Sequence, residues 1–118
     1  MTEIKADQVI VVLVNRVGMG HADPELQLRL MGSYLSFLLG IEPLPKAICF
    51  YADGVKLAVE GSPVLDALRE LEEKGVHIIL CSTCLTYFNL RDAVRVGIVG
   101  GMHDIVEAQW RADKVITL

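Results

Sequence analysis

The sequence predicts a three-layer α/β/α fold built around a mainly parallel sheet of about five strands. Short β-branched runs alternate along the chain with segments of helical length, which is the order that a parallel sheet with crossover helices requires. The runs are continuously apolar, so helices are expected to cover both faces of the sheet. A length of 118 residues suits one packed domain, and residues 1–118 are expected to form a single domain.

The first strand and the first helix show this pattern most clearly. Gln8–Val14 is a buried-strand run, and the loop Asn15–His21 that follows it contains two glycines. Asp23 precedes a proline, which predicts an N-cap and a helix from about Pro24 to Leu39. That helix is apolar on most of its sides, so we expect part of it to lie at a subunit interface.

The middle of the chain contributes two more strands and one helix. Ala47–Tyr51 is the second buried run, and Val55–Val59 forms either a short extended segment or a helical turn. Gly61-Ser62-Pro63 has the composition of a helix start, and Gly75 is expected to end that helix. Val76–Leu80 is the third strand.

The C-terminal part of the chain predicts a short strand, a helix and a last strand. Gly97–Val99 is the short strand, Gly100-Gly101 a turn, and Met102–Ala112 the helix. Three apolar residues of this helix are expected to point inward: Ile105, Val106 and Ala108. Lys114–Leu118 is expected to be the last strand.

Loops that follow parallel strands meet at one edge of the sheet, where such folds place their ligands. That edge would gather the loops Asn15–His21, Asp53-Gly54, Cys81–Cys84 and Gly100–His103. Side chains and backbone from these loops are the candidates for substrate binding: Asn15, Gly18, Met19, Asp53, Gly54, Thr83 and Met102.

Cys81 and Cys84 are the candidates for catalysis, because they lie between a predicted strand and a predicted short helix over Thr86–Leu90. A cysteine reacts as its thiolate, and a helix N-terminus lowers the thiol pKa. If Ser82 or Thr83 caps the short helix, Cys84 lies in its first turn. The pair could hold sulfane sulfur as a persulfide, cycle between dithiol and disulfide, or supply two ligands to a metal.

Other kinds of site fit the sequence less well. Structural zinc needs four ligands, whereas the chain has a single C-x-x-C and scattered histidines, so no metal is expected. A thioredoxin-like C-x-x-C usually follows the first strand, and this one follows the third. Cys49 is mid-strand and is interpreted as a small buried hydrophobe. Gly18-Met19-Gly20 lacks the further residues of a nucleotide-binding loop, so it is interpreted as a tight turn, and no cofactor is expected.

The composition restricts the partners and the compartment. The formal net charge is −4 with no cluster of Lys or Arg, which argues against nucleic acid and anionic membrane as partners. No apolar run approaches the length of a membrane span. Met1–Asp7 is polar and unlike a signal peptide, so a cytoplasmic protein is expected. In that compartment an odd set of three cysteines is not a disulfide framework.

Five segments of the chain form a recognisable series in their order and spacing: Leu57–Leu65, Leu71–Val76, Cys81–Leu85, Asp104–Glu107 and Ala112–Leu118. This series resembles the DsrE/DsrF-like sulfur-relay superfamily, and most closely the DsrE-like domain of the YedF group of sulfurtransferase-like proteins linked to selenium metabolism. The resemblance covers the chain from Val9 to Leu118.

The resemblance implies a DsrEFH-like α/β/α fold and homo-oligomers, often trimers or hexamers. It also implies sulfur donors and acceptors as partners, either proteins or small thiols. By position Cys81 matches the cysteine that carries persulfide in relay members, and Cys84 belongs to a two-cysteine variant of the motif. The chain departs from many relatives at Ser82, where they have glycine or lysine, and at Asn89, where they have glycine.

The leading hypothesis is a sulfur-relay or sulfurtransferase-like protein that carries sulfane sulfur as a persulfide on the Cys81–Cys84 motif. The alternative is a non-catalytic oligomeric module that binds a small ligand or a partner and has redox-sensitive cysteines. A carrier requires at least one exposed, acidic thiol, whereas a binding module can have two ordinary thiols. Thiol–disulfide exchange, with a stable disulfide between the two cysteines, is a third possibility.

Overall fold

Five parallel strands form one sheet in the computed structural model, which describes residues 7–118. The strands are β1 (Ile10–Val14), β2 (Ala47–Phe50), β3 (His77–Cys81), β4 (Ile98–Gly100) and β5 (Lys114–Thr117). Their order across the sheet is β4-β3-β2-β1-β5, and every neighbouring pair is parallel. The predicted α/β class and parallel sheet are therefore confirmed. The polar N-terminal segment, residues 1–6, lies outside the described residues.

Four α-helices connect these strands: α1 (Pro24–Leu38), α2 (Leu65–Glu73), α3 (Ser82–Tyr87) and α4 (Met102–Arg111). Two 3₁₀ helices, Ala52–Ala58 and Arg91–Ala93, complete the connections. The strand order advances in one direction from β1 to β4, so right-handed crossovers place α1, α2 and α3 on one face of the sheet. The return to β5 places α4 on the other face. Within residues 7–118, no helix combines the length and the apolar character that a membrane span requires.

The core lies between the sheet and the three helices of the first face, and Ile105 of α4 extends it to the other face. Val11–Val14 of β1 are all buried, as are Ala47–Phe50 of β2, as expected for central strands covered on both sides. Helix α1 contributes Met31 and Leu35 to this core, and α2 contributes Leu68 and Leu71 with similar helical spacing. This packing fixes the positions of the strand ends that carry the candidate site.

Helix α1 keeps apolar residues on its outer side as well. Leu26 and Leu30 are exposed there, and Phe37 has 80% of its surface in solvent. The sequence predicted a helix that is apolar on more sides than its own sheet can cover, and the exposed side chains agree with that pattern. Asp23 occupies the N-cap position of the helix, although its side chain makes no capping hydrogen bond.

Two predictions about the middle of the chain need correction or a choice between alternatives. Helix α2 begins at Leu65, later than the predicted start at Gly61-Ser62-Pro63. The reason is local, because the Ser62 hydroxyl accepts the amide hydrogen of Val64 at 3.2 Å and so stabilises a turn before the helix. For the segment after β2, the helical alternative is correct, since a 3₁₀ helix spans Ala52–Ala58.

The last helix also differs from the prediction at one residue. Ile105 is buried and Ala108 is half-buried, but Val106 is 43% exposed and does not point inward. Successive residues of an α-helix point about 100° apart, so a helix that touches the sheet along a narrow stripe leaves the next residue outside it. Gly100 belongs to β4, and only Gly101 lies between that strand and the helix.

Candidate functional site

The carboxyl ends of four neighbouring strands bring the predicted site loops to one edge of the sheet. Asn15 directly follows β1, Asp53 follows β2, the cysteine pair spans the junction of β3 and α3, and Met102 follows β4. Because all these strands are parallel, each loop leaves the sheet on the same side. Open α/β sheets bind their ligands at this edge, so it is the candidate functional site.

The two cysteines lie 3.2 Å apart at this edge. Cys81 is both the last residue of β3 and the N-cap of α3, and Cys84 lies in the first turn of that helix. Their accessibility differs, because Cys81 is 1% exposed whereas Cys84 is half-buried. Cys84 is thus the thiol of the pair that a molecule in solution reaches first.

The predicted capping of α3 by Ser82 or Thr83 is wrong. The helix already begins at Ser82, and its N-cap residue, Cys81, makes no capping hydrogen bond through its side chain. The physical reason is that β3 runs into α3 without an intervening residue, so neither hydroxyl occupies the N-cap position. Thr83 is an exposed residue of the first turn.

The loop after β2 supplies a hydrogen bond to the half-buried thiol of Cys84. The backbone amide of Ala52 donates to Cys84 Sγ at 3.1 Å. The preceding residue is tied to the sheet, because the amide of Tyr51 donates to the carbonyl of Val14 at 3.1 Å. Gly54 lies directly against the same carbonyl and has no room for a β-carbon. The loop is thereby held close to β1 while one of its amides faces α3.

The pKa of the Cys84 thiol is raised above its ordinary value. Partial burial is the main cause, and the hydrogen bond and charge of the neighbouring Cys81 act in the same direction. The amide of Ala52 opposes them and lowers the pKa. The sequence-based expectation that the helix terminus makes this thiol acidic is therefore not met, and the Cys84 thiol is mainly protonated at neutral pH.

The third cysteine has a structural role, as predicted. Cys49 lies in the central strand β2 with no exposed surface. Burial raises the pKa of its thiol to about 11, so it stays protonated and unreactive over the physiological range.

The glycine-containing loop after β1 packs against α1. Gly18 lies against the side chain and backbone of Gln27, where a β-carbon would not fit, and the amide of Met19 donates to the carbonyl of Gln27 at 2.9 Å. Gly18 and Met19 therefore shape a tight turn, in agreement with the interpretation of the Gly-Met-Gly segment. Nearby, the Asn15 side chain donates to the Tyr51 hydroxyl at 3.2 Å and joins the first two loops of the edge.

Lys56, which sequence analysis did not single out, lies beside α3. Lys56 Nζ is 2.8 Å from the carboxylate of Asp53 and 4.4 Å from the ring centroid of Phe88. The three-residue spacing of Asp53 and Lys56 was the available signal for their pairing. Lys56 and Phe88 also line an open groove of about 520 Å³ with Leu57 and Leu90.

The fourth loop is close to the cysteines through the sheet. Gly100 is the register partner of Cys81, and Met102 follows it at the start of α4 with 48% of its surface exposed. His21 and His103 are exposed and do not join the pair. Among residues 7–118, no group of three or more His, Cys, Asp or Glu side chains is close enough to hold a metal ion.

A second cavity lies on the opposite side of the sheet, beside α4. It measures about 470 Å³, and its floor is apolar, with Val11, Ala47 and Ile79 among its residues. Lys46 and His77 lie at the amino ends of their strands and line the end remote from the cysteines. Sequence analysis missed this cavity because no local pattern reveals where a single helix leaves part of a sheet uncovered.

Solved structures with the same fold cover almost the whole chain. The ychN protein from E. coli is 20% identical, with 94% of this chain and 99% of that chain aligned at a TM-score of 0.68. MTH1491 from Methanobacterium thermoautotrophicum, a protein of unknown function, is 21% identical, with coverage of 95% and 100% and a TM-score of 0.71. BT1422 from Bacteroides thetaiotaomicron, a conserved protein of unknown function, is 15% identical, with coverage of 99% and 100% and a TM-score of 0.63. At these identities the likeness concerns the fold alone.

The sequence itself carries the family assignment. No curated protein is similar enough to this chain to count as a match. A family model described as DsrE/DsrF-like matches residues 8–118, which include all five strands and both cysteines of the edge. The chain therefore belongs to the DsrE/DsrF-like family.

Proposed function

We propose that this protein is a sulfur-relay protein that carries sulfane sulfur as a persulfide on the Cys81–Cys84 pair. The observation that carries the proposal is the pair itself, two free cysteines 3.2 Å apart at the carboxyl edge of the sheet, one of them partly accessible to solvent. Membership of the DsrE/DsrF-like family supports sulfur relay as the general role.

Sulfur uptake on such a pair is a thiol–persulfide exchange. A thiolate of the pair attacks the outer sulfur of a donor persulfide, R–S–SH, and a new sulfur–sulfur bond forms as the donor's bond breaks. The donor leaves as a thiolate and takes up the proton that the attacking thiol has lost. The products are a protein persulfide and the donor thiol, R–SH, and delivery to an acceptor thiol repeats the exchange in the other direction.

The second thiol gives the pair a way to discharge. Its attack on the inner sulfur of the persulfide forms a Cys81–Cys84 disulfide and releases hydrogen sulfide, with no electrons gained or lost overall. Two equivalents of a small-molecule thiol then return the disulfide to the dithiol state and are themselves oxidised to a disulfide, R–S–S–R. The 3.2 Å separation supports this route, since the two sulfur-bearing residues are already in contact.

The partners in this scheme are proteins or small thiols that donate or accept persulfide sulfur. The scheme operates in a compartment that keeps thiols reduced, and we place it in the cytoplasm. We also propose a homo-oligomer, a trimer or a hexamer. The exposed apolar side of α1, with Leu30 and Phe37, supports an interface between copies, because a surface of this kind is stabilised by burial.

Intact mass spectrometry tests the proposal directly. The reduced protein is incubated with a small-molecule persulfide, and the wild type is compared with Cys81→Ala, Cys84→Ala and the double variant. Cys49→Ala is the matched control, because Cys49 is buried in β2. We expect the wild type and the control to gain one sulfur atom per chain and the double variant to gain none. A wild type that gains no sulfur and releases no sulfide would contradict the proposal.

One observation favours a second function, a non-catalytic oligomeric module that binds a small ligand or partner and has redox-sensitive cysteines. The raised pKa of the Cys84 thiol is compatible with such a module, since ligand binding requires no thiolate. The open groove beside Lys56 and Phe88 offers a place for the bound molecule. In the same experiment this function predicts no sulfur gain, and only a loss of two hydrogen atoms when an oxidant is added.

A further inference from the structure

Ala52 has a backbone conformation that its residue type does not favour. Among the non-glycine residues of the described chain, 7–118, positive φ angles occur at Ala52 (50°) and Asn89 (57°). Asparagine tolerates the left-handed region because its side chain can bond locally, but alanine has no such compensation. A left-handed alanine persists only where the surrounding structure holds it, and such residues concentrate at functional sites.

The contacts around Ala52 show what holds it. Tyr51 is bonded to the carbonyl of Val14 on one side, and on the other side the amide of Gly54 donates to the carbonyl of Tyr51 at 2.9 Å. Between these fixed points, the amide of Ala52 points towards Cys84 Sγ, and the positive φ of Ala52 turns the chain that follows this amide. The strained residue and the hydrogen bond to the thiol are therefore two results of the same backbone geometry.

The two thiols differ in both contact and access. Cys84 Sγ accepts a hydrogen bond from the Ala52 amide, and the Cys84 side chain is half-buried, while Cys81 is enclosed at the end of β3. A donor persulfide can approach only a sulfur that is open to solvent. The sulfur that is reachable is thus also the one that faces a fixed hydrogen-bond donor.

We propose that Ala52 is a positioning residue whose backbone amide makes Cys84 the sulfur-accepting thiol of the pair, with Cys81 as the second thiol. The inference rests on the proposed sulfur-relay function and assigns its two roles. It differs from the role that the family resemblance implies for Cys81, because the accessible and hydrogen-bonded sulfur is that of Cys84.

The assignment defines each bond that changes. The Cys84 thiolate attacks the outer sulfur of R–S–SH, and R–SH leaves with the proton from Cys84. In the product the amide of Ala52 faces the inner sulfur of the persulfide. When no acceptor arrives, Cys81 attacks that inner sulfur, the disulfide forms, and hydrogen sulfide carries away the transferred sulfur atom.

The Ala52 amide also favours ionisation of the Cys84 thiol. Burial and Cys81 raise the pKa of the Cys84 thiol, and the Ala52 amide is a contact that lowers it. A donor N–H stabilises the thiolate more than the neutral thiol, since a hydrogen bond to a charged group is the stronger one. Removal of this N–H should therefore leave less thiolate at any pH below the pKa.

Backbone substitution in the full chain tests the inference. L-lactate at position 52 replaces the amide N–H by an ester oxygen and keeps the methyl side chain. L-lactate at position 93 is the matched control, because Ala93 also lies in a 3₁₀ helix and its amide donates only to the carbonyl of Leu90, at 2.9 Å. The readout is the rate at which iodoacetamide alkylates Cys84 as a function of pH, with the alkylated residue located by peptide fragmentation.

We expect alkylation of Cys84 at neutral pH to become roughly tenfold slower with lactate at position 52 and to remain at the wild-type rate with lactate at position 93. In the wild type, fragmentation of the sulfur-loaded protein should place the extra sulfur on Cys84. This second measurement needs no variant, so the inference remains testable if the ester at position 52 impairs folding.

The possible failures separate the inference from the proposed function. If the wild type takes up sulfur but carries it on Cys81, or if lactate at position 52 leaves the Cys84 profile unchanged, the inference is overturned and the sulfur chemistry stands. If the profile shifts as expected but the wild type takes up no sulfur, the proposed function fails, and Ala52 positions a thiol that serves another reaction.

Discussion

The amide of Ala52 and the sulfur of Cys84 are 3.1 Å apart, although the two residues are 32 positions apart in the sequence. This hydrogen bond joins the loop after β2 to the helix after β3, and it distinguishes the two sulfurs of the C-x-x-C motif. It also lowers the pKa of the Cys84 thiol, whereas burial raises it. The reactivity of the pair is therefore a balance between enclosure by the fold and one directed backbone donor.

The pH dependence of Cys84 should show this balance. Because burial and Cys81 raise its pKa, we expect iodoacetamide to alkylate Cys84 more slowly at neutral pH than it alkylates an unfolded peptide of the same local sequence. The rate should rise with pH until the raised pKa is passed. Cys81→Ala removes one of the raising contacts and should move the profile to lower pH. Identical profiles for the folded protein and the peptide would contradict the proposed environment.

Replacement of Gly54 by alanine should destabilise the fold. A β-carbon at this position meets the carbonyl of Val14, which is backbone and cannot rotate away. We expect Gly54→Ala to lower the free energy of unfolding by about 1–3 kcal/mol, measured by urea denaturation.

Gly40 provides the matched control for that substitution, because a β-carbon there has no atom within 4 Å and the backbone is not left-handed. Gly40→Ala should change the free energy of unfolding by less than about 0.5 kcal/mol. Equal effects of the two substitutions would show that the loop after β2 is not held against β1.

Cys49 should make stability depend on pH in the alkaline range. Its pKa is raised from 9.0 to about 11 in the folded state, so folding favours the protonated thiol. The protonated Cys49 thiol contributes about 2–3 kcal/mol to the free energy of unfolding. This contribution is complete below about pH 9 and is lost as the pH rises towards 11.

The measurement is the difference in the free energy of unfolding between the wild type and Cys49→Ala across that pH interval. Other groups titrate there as well, and the difference removes their common effect. The advantage of the wild type should shrink as the pH rises. A difference that stays constant would mean that Cys49 is not as enclosed as β2 implies.

The outer side of α1 should affect assembly more than stability. Phe37 is exposed, so Phe37→Glu should leave the monomer fold intact while it places a charge in the proposed interface between copies. We expect sedimentation to show a smaller assembly for Phe37→Glu than for the wild type. Val106→Glu, which adds the same charge to an exposed position of α4 on the opposite face of the sheet, is the control and should keep the wild-type size. An unchanged size for Phe37→Glu would exclude this side of α1 as the interface.

The sequence by itself determined the class of the fold and the position of the cysteine motif. Continuous runs such as Val11–Val14 indicate strands covered on both faces, and the order of runs and helices leads to a parallel sheet. Cys81 and Cys84 were placed at a strand-to-helix junction for the same reason, because strand and helix patterns are local and repeat over a few residues. Where the pattern was ambiguous, at the start of α2 and the inner face of α4, the prediction failed.

Only the tertiary structure decided how the two thiols differ. The enclosure of Cys81 and the half-burial of Cys84 depend on packing against elements that lie far away in the sequence, and so does the hydrogen bond from Ala52 that lowers the pKa of Cys84. Ala52 has no signal in a sequence, since an alanine after a strand predicts neither a positive φ nor a donor aimed at sulfur. The physical reason is that burial and the direction of a backbone amide follow from packing between elements, which periodicity along the chain does not encode.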